Sequence, residues 1–229
     1  LDQYDHMEGL EAFQKGLIQV QDMSSSFVGE IADPVEGDFV VDVCGAPGGK
    51  SIHIADKLLG TGMVEVRDVS DQKTAMIEEN IARCGFENIR TKVYDALVLD
   101  ESIIEKADIV LADLPCSGLG ILGRKPDIKY RMTEDKTKEL AELQRQMLSV
   151  VQSYVKSGGK LIYSTCTIDK KENEDQVEWF LENFPFDPVN IEGKLGEHIT
   201  SDTMKQGYIQ LLPGVHPCDG FFIASFKKR

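Results

Sequence analysis

Two cysteines stand where an α/β sheet would present them to a ligand. Cys116 follows the run Asp108-Ile-Val-Leu-Ala-Asp-Leu-Pro115, and Cys166 follows Gly159-Lys-Leu-Ile-Tyr-Ser-Thr165. Both runs are apolar and strand-length, and both end in turn residues, so each reads as a buried strand. In an open α/β sheet the carboxyl ends of the strands face the ligand crevice. Two thiols delivered there from separate loops can act on one substrate atom, and few chemistries need such a pair without a metal. Thiolate is the attacking species, so the site must favour its ionisation. Asp113, three residues before Cys116, brings a carboxylate to the same strand end.

A second constellation lies earlier in the chain. Asp42-Val-Cys-Gly-Ala-Pro-Gly-Gly-Lys50 is a glycine-rich strand-to-helix turn. Its glycines let backbone approach a ligand closely, and a helix start offers free N–H groups to an anion. It has neither the G-x-G-x-x-G of dinucleotide sites nor the P-loop spacing, despite Gly49-Lys50-Ser51. Asp68 ends the next apolar run, suitably placed for ribose hydroxyls, and Asp95 ends the third, suitably placed for an adenine amino group. Acids after successive strands fit a nucleoside lying across the sheet edge. Either acid alone reads equally well as a turn-starting Asp.

The elements that must position these residues follow from pattern. A helix is expected over Met7 to Gln14, a short strand over Gly16–Asp22, and a helix capped by Ser24-Ser-Ser26. Phe39–Cys44 reads as a strand, followed by a helix to about Leu59. Gly62–Val66 reads as a strand, and the next helix carries Ile77, Ile81 and Cys84 and stops at Gly85. Thr91–Tyr94 and Asp108–Leu114 are further strands. A long helix bearing Leu140, Leu143, Met147, Val150, Val151 and Tyr154 is expected to end at Gly158-Gly159. The strand to Cys166, a helix with Val177, Phe180, Leu181 and Phe184, and a last strand Gly220–Phe226 complete the series. Strands alternating with helices at this spacing predict a parallel, doubly wound sheet.

Composition narrows the function. The chain has 229 residues, enough for one α/β domain with a substantial core. Its hydrophobic content of 41% is ordinary for a soluble globular protein, and no apolar stretch approaches the roughly 20 residues of a membrane helix. Its start, Leu1-Asp-Gln-Tyr-Asp, has neither an initiator Met nor a leader pattern and reads as an internal start. The five cysteines are odd in number and form no Cys-x-x-Cys, so neither a disulfide framework nor a zinc site is indicated, and a reducing, cytoplasmic setting is expected. Cys44 and Cys84 lie in apolar patterns as small core residues, and Cys218 has no evident role. A formal net charge of −14 argues against indiscriminate nucleic-acid binding. RNA can still be held where basic residues gather, and Arg124, Lys125, Lys129 and Arg131 do so beside Tyr130. The bland alternative is a solvated loop.

Asp42–Lys50, Asp113-Leu-Pro-Cys-Ser-Gly118 and Ser164-Thr-Cys166 together resemble three signature motifs of the Sun (Fmu) family of RNA cytosine-C5 methyltransferases. The likeness runs over almost the whole chain, from Val20-Gln-Asp22 to Asp219-Gly-Phe-Phe-Ile-Ala224. Gly123-Arg-Lys-Pro-Asp-Ile-Lys129 most resembles the bacterial branch acting on small-subunit ribosomal RNA. Two positions depart from the pattern. Gly45 stands where the family usually has Ala, which is expected to be harmless in a turn, and Val66-Arg-Asp68 is an uncommon lead into the ribose acid.

The resemblance implies a class I S-adenosylmethionine-dependent methyltransferase fold, Rossmann-like, with a seven-stranded, mostly parallel sheet, helices on both faces and an antiparallel last strand. It implies a small N-terminal appendage over residues 1–36 and a catalytic domain over 37–229 of a longer chain. The cofactor would be S-adenosyl-L-methionine, with Cys44, Gly45, Ala46, Pro47, Gly48 and Lys50 at its methionine end. Asp68 would take its ribose, Asp95 its adenine, and Asp113 would lie near the sulfonium. Cys166 would be the nucleophile, Cys116 would assist release, and Asp113 would hold the N3–N4 edge of the base. The expected partner is RNA, bound by a monomer without membrane or metal. Transfer-RNA cytosine methylation is the rival within the fold. An idle RNA-binding module is the rival outside it, and three intact reactive residues argue against that.

Overall fold

A computed structural model describes residues 6–197 and 199–229. Residues 1–5, on which the reading of an internal start rests, lie outside the described part, as does His198. Five strands, β1 (Phe39–Asp42), β2 (Met63–Asp68), β3 (Ile89–Val93), β4 (Ala107–Asp113) and β5 (Val155–Thr165), lie parallel in the order β3-β2-β1-β4-β5. Three more follow in the chain: β6 (Phe186–Pro188), β7 (Tyr208–Leu211) and β8 (Phe221–Lys228). β8 pairs antiparallel with β5, and its outer edge takes β6 against one half and β7 against the other. Eight strands thus occupy seven places, with the outermost place filled by two short pieces. Pro188, the last residue of β6, has no N–H to extend a ladder.

Alternate residues of each inner strand feed two cores, as a sheet covered on both faces requires. Val40, Val64, Val66, Ile109, Leu111 and Ile162 face one core, and Val41, Val110, Ala112, Leu161 and Tyr163 face the other. Among the described residues seven α-helices accompany the sheet: α1 (Glu11–Gln14), α2 (Met23–Ala32), α3 (Gly49–Lys57), α4 (Asp71–Cys84), α5 (Ile128–Arg131), α6 (Glu134–Val151) and α7 (Glu174–Asn183). Helices α2, α3 and α4 cover the first face through Val28, Ile31, Ile52 and Ile77. The opposite face is covered by α6 and α7 through Met147, Leu148, Val151, Val177 and Phe180. This is the mixed α/β methyltransferase architecture that the motifs imply. No helix among the described residues is long and apolar enough to cross a membrane.

Local expectations fail in four places. Gly16–Asp22 forms no strand; Arg83 instead donates to its Ile18 carbonyl at 3.2 Å, and to the Phe13 carbonyl of the preceding α1 at 2.9 Å. The serines do not cap α2. Asp22 does, accepting the Ser24 N–H at 2.9 Å, and the serines lie inside the first turn. The helix expected over Met7–Gln14 breaks into a 3-10 turn, Met7–Gly9, and the single turn of α1. Finally, α6 ends at Val151 and passes through a 3-10 turn straight into β5, so Gly158 and Gly159 are strand residues.

Candidate active site

Every inner strand delivers one acid or thiol to the same sheet edge, because all five run parallel and end there. A cleft of about 450 Å³ opens along that edge, lined by Cys44, Ala46, Asp68, Asp95, Asp113, Cys116 and Cys166 among others. Its apolar walls are Val69, Ala96, Leu97, Leu143 and Met147. A smaller cavity, about 210 Å³, lies on the other side of the glycine-rich turn. It is lined by Gly45, Ala46, Pro47, Gly49 and Lys50 and closed by Gln19–Asp22, and it shares Cys44, Ala46 and Asp113 with the larger one. Gly48 lines neither. Its φ of 104° is open to glycine at little cost, and it starts α3.

The two reactive sulfurs meet. Cys116 Sγ and Cys166 Sγ lie 3.3 Å apart, a contact made possible because β4 and β5 are paired neighbours in register. The contact divides the thiols' acidity. Its hydrogen bond favours the Cys166 thiolate and outweighs the burial and the Asp113 charge that oppose it, so the Cys166 pKa is lowered. Cys116 holds the shared proton; that bond, burial and the Cys166 charge push its pKa well above the usual thiol value. Cys44 is different in kind: burial and then Asp42, Asp68 and Asp113 push its pKa far up, leaving an inert thiol.

Asp113 is gripped on both oxygens. Lys50 Nζ donates to Oδ2 at 2.7 Å, and Ser164 Oγ donates to Oδ1 at 2.7 Å. Burial works against the Lys50 cation, but Asp113 more than offsets it and raises the Lys50 pKa. Lys50 also lies 5.4 Å from the centre of the Phe221 ring. Beneath the turn, Asp42 is fully buried and accepts Ser51 Oγ at 2.5 Å, and its other oxygen has no partner among the described residues. Burial lifts its pKa from 3.8 to about 6.

Asp68 receives the backbone N–H groups of Ala46 at 3.2 Å and Val69 at 2.7 Å, and Lys73 reaches it at 3.0 Å from the surface. Asp95 accepts the N–H of Leu97 at 2.9 Å, which leaves it a free oxygen. The two departures of sequence touch one another. A Cβ built on Gly45 would sit 2.3 Å from Val66 Cγ1 and 2.9 Å from Asp42 Oδ2, so the turn packs onto β2 only because residue 45 has no side chain.

No residue of the basic loop lines either cavity, although Arg124 reaches Asp22 at the rim of the smaller one. Arg124 is pinned between Asp22 and Asp219, the latter at 2.8 Å, and Arg131 pairs with Asp127 one turn away. Lys125 and Lys129 make no ion pair among the described residues, and Lys129 lies 4.7 Å from the centre of the exposed Tyr130 ring. Pattern reading did not single out Ser164, Gln144, Glu172 or Asn173, all fully buried around the two thiol loops. Only a polar residue inside an apolar run, as Ser164 is, offers a signal. No group of three or more His, Cys, Asp or Glu among the described residues is arranged to hold a metal.

Comparison with known proteins places these features in company. A family model described as 16S rRNA methyltransferase RsmB/F matches residues 30–227. The chain is 39% identical over 224 residues to the probable ribosomal RNA small subunit methyltransferase B of Bacillus subtilis (strain 168), covering 96% of this chain and 50% of that protein. It is 31% identical over 219 residues to ribosomal RNA small subunit methyltransferase F of Escherichia coli O157:H7, covering 93% and 45%. The crystal structure of NSun6 from Pyrococcus horikoshii with SFG superimposes with a TM-score of 0.88 at 31% identity, over 98% of this chain and 56% of that one. The chain therefore spans about half the length of the curated relatives it matches.

Proposed function

The chain belongs to the 16S rRNA methyltransferase RsmB/F family, and on that premise we propose that it methylates C5 of a cytosine in RNA, small-subunit ribosomal RNA first, through a covalent bond from Cys166. The observation that carries this reading is the 3.3 Å contact between the Cys166 and Cys116 sulfurs beside Asp113. S-adenosyl-L-methionine, when bound, supplies an electrophilic methyl group. The donor set suits it: Asp68 can accept from ribose hydroxyls, Asp95 from an amino group, and Val69, Leu97, Leu143 and Met147 can enclose a planar base. Asp113 adds negative charge beside a sulfonium; Cys44 and Ala46 of the turn border both cavities, Gly45, Pro47 and Lys50 border the smaller one, and Gly48 shapes the turn without lining either.

C5 of cytosine is a poor nucleophile. Addition of the Cys166 thiolate to C6 makes C5 carbanion-like, so that it can take the methyl group. Asp113, oriented by Lys50 and Ser164, faces the N3–N4 edge and stabilises protonation at N3 as the bond to C6 forms. Once Cys166 is a thioether, the main cause holding the proton on Cys116 is gone. Cys116 then releases its proton to solvent and, as a thiolate, takes the C5 proton; the C5–H electrons re-form the C5–C6 double bond and Cys166 leaves as a thiolate. The target base must leave any stack to reach the cleft, which favours a loop or single strand. Residues 1–36 are in this reading an appendage of a catalytic domain over 37–229, and α2, packed against α3, β5 and β8, adds Val28 and Ile31 to the core.

The test is methylation of total RNA from a strain lacking the gene, with bisulfite mapping of the gained 5-methylcytosine. The wild-type protein should add it to small-subunit ribosomal RNA, and Cys166→Ala should add none while still binding S-adenosylhomocysteine. Cys116→Ala should stay joined to RNA on denaturing gels only when the cofactor is present, and Cys116→Ala/Cys166→Ala should not. Full activity of Cys166→Ala, or an adduct in the double variant, overturns the assignment.

A further inference from the structure

Glu172 closes the 3-10 turn Lys170–Glu172 that follows the Cys166 loop, and its side chain is fully buried. One oxygen, Oε2, accepts the backbone N–H of Ser117 at 2.9 Å and Gln144 Nε2 at 2.9 Å. Gln144 Nε2 also donates to the Pro115 carbonyl at 3.0 Å, so both chain neighbours of Cys116 are held from α6 and this turn. Ser117 Oγ and Thr167 Oγ1 lie 2.7 Å apart. Asn173 completes the grip on the other loop, donating to the Thr167 carbonyl at 3.1 Å and accepting Thr165 Oγ1 at 2.6 Å. Every flanking residue of both thiols is therefore tied into one buried polar network.

The network contains a carboxyl group that its hydrogen bonds do not require. Glu172 Oε1 is buried without a partner among the described residues. No cation among the described residues pairs with the carboxyl; the nearby Lys170 and Lys171 reach Asp175 and Glu134 instead. A glutamine would accept from the same two donors without the cost of a buried charge. The charge sits on one side of the sulfur pair, next to the residue after Cys116, whereas the cation of Lys50 acts on Cys166.

We propose that Glu172 is a positioning residue of the thiol pair: it holds the Cys116 loop against α6 and the Cys166 loop, and its charge on the Cys116 side makes Cys166 the more nucleophilic sulfur. The proposal deepens the reading of Cys166 as the attacking group and rests on it. The other titratable groups around the pair are Tyr163 from β5, Asp113 from β4 and Lys50 from α3, and Asp169 faces Glu172. Of these, Tyr163 lies toward Cys116, whereas Asp113 and Lys50 act on Cys166. Burial raises the Glu172 pKa and outweighs the Ser117 and Gln144 hydrogen bonds that oppose it. In its ionised form the carboxylate opposes a thiolate at Cys116.

The test reads the free protein and needs neither RNA nor cofactor. Wild type, Glu172→Gln and Glu172→Asp are alkylated with iodoacetamide over a neutral-to-alkaline pH series, and label at each cysteine is measured by peptide mass mapping. Wild type should label at Cys166 before Cys116. Glu172→Gln keeps the acceptor and loses the charge, so the ratio should fall by about tenfold, as a one-unit change in a thiol pKa would produce, and Cys116 labelling should move to lower pH. Glu172→Asp keeps the charge and should restore the preference for Cys166. A wild-type ratio in Glu172→Gln at every pH overturns the proposal. If Glu172→Gln does not fold, Glu172→Asp decides, and Cys116 labelled first in that variant overturns it. A shifted ratio in a protein that never methylates RNA would leave this inference standing and sink the proposed reaction instead.

Discussion

At the scale of single residues, Asp42 is where burial and charge conflict most directly. Its carboxyl is fully buried at the end of β1 with one unpartnered oxygen, and its pKa of about 6 lies above the ordinary 3.8. A raised folded-state pKa means that the folded form binds the proton more tightly than the unfolded chain does. The resulting stabilisation is full below about 3.8 and is lost as pH rises through about 6. Asp42→Asn removes the charge and can keep an acceptor for Ser51. It should therefore raise the melting temperature at about pH 8, by up to ~3 kcal/mol of stability, and lose that advantage near pH 4. Thermal melts of both proteins across this range check it, and a gain that persists unchanged to pH 4 would show that charge burial is not the cause. The candidate site was legible at this scale from its place at strand ends: Asp68 and Asp113 end β2 and β4, and Asp95, Cys116 and Cys166 follow β3, β4 and β5 within a few residues. Glu172, Gln144 and Asn173 were not legible, because their significance lies in contacts between segments far apart in the chain.

At the scale of elements, the glycine-rich turn and β2 are fitted to each other. Gly45 leaves room that Val66 fills, and a Cβ at 2.3 Å from Val66 Cγ1 cannot be accommodated without moving one of them. Gly45→Ala should cost about 1–3 kcal/mol, the range for overpacking a core. Val66→Ala creates a cavity beside the same turn, so the double variant should cost less than the two single changes summed. Urea unfolding of all four proteins measures the coupling, and strictly additive costs would mean that the turn relaxes freely. Here the sequence reading was incomplete: glycine in the turn looked harmless, whereas its lack of a side chain is what the neighbouring strand requires. The inner strands were legible because burial on both faces makes them continuous apolar runs. β6 and β7 were missed because they are three and four residues long and separated by irregular chain. Gly16–Asp22 alternates like a strand but has no sheet edge beside it, and Arg83 takes its Ile18 carbonyl instead.

At the scale of the whole molecule, a net charge of −14 bears on the proposed binding of RNA. Phosphate contacts supply most non-specific affinity, and each one made by a cation adds salt dependence. In the basic loop Arg124 and Arg131 are already engaged with Asp22, Asp219 and Asp127, whereas Lys125 and Lys129 make no ion pair among the described residues. The loop therefore offers two cations for phosphate and the exposed Tyr130 ring for stacking. This chain should bind single-stranded RNA weakly, with an affinity that falls steeply as salt rises, while its S-adenosylhomocysteine affinity stays nearly constant. Lys125→Ala/Lys129→Ala should flatten the salt dependence by about 1.4 in the log–log slope, roughly 0.7 for each phosphate contact on a single strand. Arg124→Ala should change that slope little and instead loosen the tie from Asp22 to Asp219. Fluorescence anisotropy over a salt series measures the slopes, and calorimetry measures the cofactor product. Tight binding insensitive to salt, or an unchanged slope in the double lysine variant, would mean that RNA is held by a surface other than this loop.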